Sequence, residues 1–141
     1  MIQMILLAID GSENAKRAAA QASDLVLALD GASLVVVCIA PEPPNQSRIV
    51  KANYDVHAVL EEDARAMAGM ILDFIEKAGV SYTLEVGMGG PAIEIIKTAE
   101  KVGADLIVIG SRGLGSLKGA VLGSVSQKVA QHASCPVMIV K

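Results

Sequence analysis

Five short apolar runs alternate with stretches in which apolar residues recur at every third or fourth position. The runs are Met4 to Ile9, Ser33 to Ile39, Tyr82 to Val86, Leu106 to Ile109 and Val137 to Val140. Four are nearly continuous, as parallel strands covered on both faces require. Tyr82-Thr-Leu-Glu-Val86 alternates instead and reads as an edge strand. The first helical stretch spans about Glu13 to Leu29, with Ala15, Ala18, Ala19, Ala22, Leu25, Val26 and Leu29 at helical spacing. Ser12 is placed to cap its start, and Gly31 lies just past its end. The second spans Asp55 to Ala78, with a predicted inner stripe of Val59, Leu60, Ala64, Met67, Ile71, Phe74, Ile75 and Ala78. The third starts at Pro91, a favoured first helical residue, and ends near Gly103. The fourth follows Ser124 and runs to about His132.

Such βα alternation predicts a doubly wound parallel sheet, with ligands at the carboxyl edge of the strands where their order reverses. Pro41-Glu-Pro-Pro-Asn-Gln-Ser47 breaks the rhythm. It reads as an irregular loop on that same edge, either a connector or a flap over a ligand.

The chain has 141 residues, enough for one domain with a full core. Aromatics are only Tyr54, Phe74 and Tyr82, so the core is aliphatic. Twelve basic residues against fifteen acidic ones give a net charge of −3. That balance lacks the basic footprint of a nucleic-acid binder, and stacking aromatics are scarce. No apolar run approaches a membrane span, and the first residues lack the basic start of a signal peptide, so the expected compartment is the cytoplasm. Cys38 and Cys135 stand apart from any ligand-spaced partner. They read as small apolar fillers or, alternatively, as redox thiols. His57, His132 and the Glu61-Glu62-Asp63 run read as solvated helix positions.

Candidate chemistry concentrates after the fourth apolar run. Five glycines fall between Gly110 and Gly123, at positions 110, 113, 115, 119 and 123. A strand, a glycine-rich loop and a helix start make a cradle for an anion. The P-loop pattern fails, because Ser116 and Leu117 follow Gly115. The dinucleotide fingerprint fails as well, because Lys118 stands where its third glycine belongs. The spacing that fits is G-x2-G-x9-G-S, at Gly110, Gly113, Gly123 and Ser124. Arg112 and Lys118 add positive charge. Two plainer readings remain open: Ser124 with Gln127 is a possible capping box, and Gly110 and Gly113 could serve tight turns. Asp10 could likewise be only a carboxylate favoured by a helix start.

With this glycine pattern, the opening Ile5-Leu-Leu-Ala-Ile-Asp10-Gly-Ser12 and the closing Gly123-Ser-Val-Ser-Gln-Lys-Val-Ala130, the chain resembles the universal stress protein family, in its ATP-binding branch. The resemblance covers nearly the whole chain. It implies a Rossmann-like fold, akin to adenine nucleotide alpha hydrolases, with five parallel strands in the order 3-2-1-4-5 and four helices. The implied ligand is ATP, ADP or AMP, with Mg²⁺ or Mn²⁺ on the phosphates. Ala8, Ile9 and Asp10 would lie beside the adenosine, and Ile39 against the base. Ile109, Gly110, Arg112 and Gly113 would line ribose and phosphates, and Gly123, Ser124, Val125 and Ser126 would hold the phosphate tail. A homodimer through Val137 to Val140 is implied too, and an apolar final strand at a sheet edge invites such pairing. The expected role is a stress-response regulator or sensor. The alternatives are a nucleotide-independent dimeric interaction module and a weak ATPase, although no nucleophile–base pair stands at recognisable spacing.

Overall fold

In the computed structural model, residues 1–113 and 122–141 are described. The chain runs β1 (Met4–Ala8), α1 (Glu13–Ala28), β2 (Ser33–Ala40), α2 (Gln46–Lys51), α3 (Val56–Lys77), β3 (Tyr82–Met88), α4 (Pro91–Val102), β4 (Leu106–Gly110), α5 (Ser124–His132) and β5 (Val137–Val140). All strands are parallel, in the order β3-β2-β1-β4-β5. The expected sheet is therefore present, with β3 and β5 at its edges.

Residue parity along the central strands decides which layer each side chain joins. Ile5, Leu7, Leu34, Val36, Cys38 and Val108 point to one face and pack under α1 and α3. Leu6, Ala8, Val35, Val37, Ile107 and Ile109 point to the other and pack with Ala92, Ile95 and Ala99 of α4 and Val129 of α5. Alanines at 15, 18, 19 and 22 form most of the buried face of α1, so that helix lies close on the sheet.

The structure corrects three expectations. Among the described residues there are five helices where four were expected. The addition is α2, which lies partly within the segment read as irregular. It buries no residue, so it leaves no apolar period in the sequence. Instead Asn45 caps it, accepting from the Arg48 N–H at 3.0 Å, and Arg48 grips Asp63 of α3 through two hydrogen bonds of 2.9 and 2.7 Å. Asp63 is thus not merely solvated: this bidentate guanidinium holds its carboxyl below the ordinary range. Second, the inner stripe of α3 is rotated from its predicted line. Ala68 and Leu72 are buried, while Met67 and Phe74 are 44% and 47% exposed. Third, Gly110 is the last residue of β4, paired with Val140, rather than the first of a loop.

The helix starts predicted from sequence are found at α1 and α4. Ser12 Oγ accepts from the Ala15 N–H at 3.1 Å, and Pro91 opens α4. Asp55 caps α3, accepting from the Ala58 N–H at 3.0 Å. Gly103 ends α4 in the left-handed conformation that glycine adopts without strain. No helix among the described residues is long and apolar enough to cross a membrane.

Candidate functional site

Strand order reverses between β1 and β4, and a cavity of about 620 Å³ opens there at the carboxyl edge of the sheet. All twelve residues singled out from the sequence line it: Ala8, Ile9, Asp10, Ile39, Ile109, Gly110, Arg112, Gly113, Gly123, Ser124, Val125 and Ser126. Lys118, Gly115 and Gly119 lie outside the described residues.

Asp10 follows β1 and is held by the start of α1, where the Ser12 N–H donates to its Oδ1 at 2.9 Å. This carboxylate also makes itself felt in the core. Burial first, and the charge of Asp10 second, push the Cys38 thiol up to about 12. Burial raises Cys135 as well. Both shifts run away from the thiolate that a reactive cysteine needs.

Another wall is the start of α5. Gly123 is its N-cap and has no side chain to offer, so the Ser124–Gln127 capping box does not form. Gln127 instead donates its N–H to the Gly123 carbonyl at 3.0 Å, as an ordinary helical bond. Among the described residues, no side chain caps this end, and its first residues line the cavity. The Ser126 hydroxyl is buried and points at the carbonyls of Ser111 (2.8 Å) and Gly123 (3.0 Å), so it braces the wall rather than the opening.

The apolar floor and the bracing were missed in the sequence. Val37, Met67, Pro91 and Ile95 also line the cavity, and so does Pro41 of the segment read as a connector or a flap. Val37 lies toward the end of β2, Pro41 just past it, and Pro91 and Ile95 in the first turns of α4, whereas Met67 lies midway along α3. Ser111 is the centre of the bracing: its N–H donates to Val140, its carbonyl accepts from the Gly123 N–H, both at 2.7 Å, and its hydroxyl accepts from Asn14 Nδ2 at 3.1 Å. Asn14 is a buried polar residue on the inner side of α1, a mismatch in a face made mostly of alanine. That mismatch was the available clue.

The sequence model of the Universal stress protein family matches residues 1–141. The chain belongs to the universal stress protein family. A universal stress protein of Thermus aquaticus is 37% identical over 146 residues, with each chain fully covered. The solved structure of MJ0577, a universal stress protein of Methanocaldococcus jannaschii, superposes with a TM-score of 0.78 at 28% identity, covering 100% of this chain and 96% of that one. A universal stress protein solved in complex with cAMP superposes with a TM-score of 0.74 at 27% identity, covering 99% and 97%. The cavity of this universal stress protein thus sits in a fold whose relatives include a structure holding a cyclic adenine nucleotide.

Proposed function

We propose that this universal stress protein binds an adenine nucleotide, ATP, ADP or AMP, in the cavity between β1 and β4, and acts as a cytoplasmic stress-response regulator or sensor. The observation that carries this reading is the polarity of the cavity. One end presents the Asp10 carboxylate, an acceptor suited to sugar hydroxyls. The other presents the open start of α5, which suits phosphate. Between them lies an apolar floor of Val37, Ile39 and Ile109 for a base. The volume falls in the range of small-ligand sites. The relative solved with cAMP supports the adenine class.

A nucleotide in this orientation puts ribose at Asp10 and phosphates at Gly123 to Ser126. No group of three carboxylate, thiol or imidazole side chains among the described residues could hold a metal. In this reading a Mg²⁺ or Mn²⁺ ion rides on the phosphates. Thermal unfolding with ATP, ADP and AMP, with and without Mg²⁺, tests the reading. A rise in Tm at millimolar nucleotide is expected, and no rise with any of the three refutes it.

Pairing of two copies through β5 belongs to the same proposal. Val137 to Val140 form an edge strand and are only half-buried. Native mass spectrometry should show a dimer, and a monomer at micromolar concentration contradicts the pairing.

A further inference from the structure

The two glycines at the root of the loop do not owe their identity to backbone conformation. The left-handed glycines of the described chain are Gly31, Gly79, Gly89 and Gly103, and neither Gly110 nor Gly113 is among them. What excludes a side chain at each is a neighbour. A Cβ on Gly110 would lie 2.9 Å from the backbone carbon of Asn14 and 3.0 Å from its oxygen. A Cβ on Gly113 would lie 2.5 Å from Asp10 Oδ2. Both are too close for carbon, and both blocking groups belong to the protein.

Resting on the nucleotide reading above, we infer that Gly113 is a positioning residue for Asp10. Its missing side chain makes room for the carboxylate, and the two set each other's place. Asp10 is fixed from one side by the Ser12 N–H and is bounded on the other by Gly113. The second glycine of the G-x2-G pattern thereby serves the sugar end of the ligand, although it stands in the segment that leads to the phosphate end. Any residue larger than glycine at 113 must turn the carboxylate away or shift the loop root, which Ser111 ties to β5, α1 and α5.

The test separates two roles for this glycine. If it is needed for Asp10, Gly113→Ala weakens adenosine, which has no phosphate, by the same factor as ATP, about tenfold for a mild steric overlap. If it is needed for phosphate, ATP weakens and adenosine does not, and the inference fails. A second measurement needs no ligand. Gly113→Ala is expected to lower Tm by about 4 °C, the scale of a slight overpacking in a domain of this size. In the Asp10→Ala background the same change should cost nothing. Asp10→Ser, which keeps an oxygen for the Ser12 N–H, serves if Asp10→Ala does not fold. A penalty that persists in both Asp10 backgrounds overturns the inference, and so does the absence of any penalty when Asp10 is present. If wild-type protein binds neither adenosine nor ATP, the nucleotide reading falls, while the ligand-free cycle still decides whether Gly113 makes room for Asp10.

Discussion

Helices α1 and α5 both begin at the carboxyl edge of the sheet, and both starts line the same cavity. They are finished in opposite ways. At α1 the protein satisfies its own donors: the Ser12 hydroxyl accepts from Ala15, and Asp10 accepts from Ser12. At α5 the cap is a glycine, and no side chain among the described residues replaces it. A helix start left open beside a cavity is a place where a ligand supplies the cap. The closed start carries negative charge and the open one positive dipole, so the cavity has a direction. In the proposed reading, that direction suits a ligand with hydroxyls at one end and an anion at the other.

The sharpest way to break this contrast is to close the open end. Gly123 has extended dihedrals, φ −72° and ψ 162°, that any residue adopts. Gly123→Asp should cap α5 internally and repel phosphate, weakening ATP about 100-fold by calorimetry, with adenosine far less affected. Retained ATP binding would mean that α5 is not the anion site. The next effect in size concerns the shared wall. Gly110→Ala drives a methyl into the Asn14 backbone and should cost about 2 kcal/mol in urea unfolding, a loss that no change of ligand reverses. An unaltered midpoint would show that α1 stands off from β4. Opening the closed end is milder. Ser12→Ala should cost about 1 kcal/mol of stability, with ATP affinity changed much less than by Gly123→Asp.

The smallest effect comes from a carboxylate at the far edge of the sheet. Asp105 accepts from the Gln3 and Met4 N–H groups at 2.9 Å each, and these bonds hold its carboxyl below the ordinary range. Its contribution is therefore present above about pH 4 and is lost as pH falls further. Asp105→Asn should flatten the acid limb of a Tm–pH curve and leave nucleotide binding untouched. An unchanged acid limb would show that Asp105 contributes nothing there.

The sheet was legible because burial on both faces writes continuous apolar runs, and the covering helices write periods of three to four. Element ends moved by a residue or two, as at Gly110, because pairing with Val140 leaves no mark in local composition. α2 was illegible because it buries no residue, and the ion pair that ties it to α3, Arg48 with Asp63, joins residues fifteen positions apart. The exposed Met67 and Phe74 show the limit of hydrophobicity as a guide, since α3 buries the smaller Ala68 in their place. In the cavity, the glycine spacing and Asp10 pointed to the walls. The bracing by Asn14 and Ser111 depends on side chains ninety-seven positions apart and became visible only in three dimensions.

The alanine face of α1 has a practical consequence for mutagenesis. Ala15, Ala18, Ala19 and Ala22 already are what an alanine scan would install, so such a scan passes over this helix in silence. Silence there would be misread as tolerance. The informative library at these positions runs toward bulk: each added methylene lifts the helix that carries Ser12 and Asn14, and its effect should be read at the mouth of the cavity as well as in the melting curve.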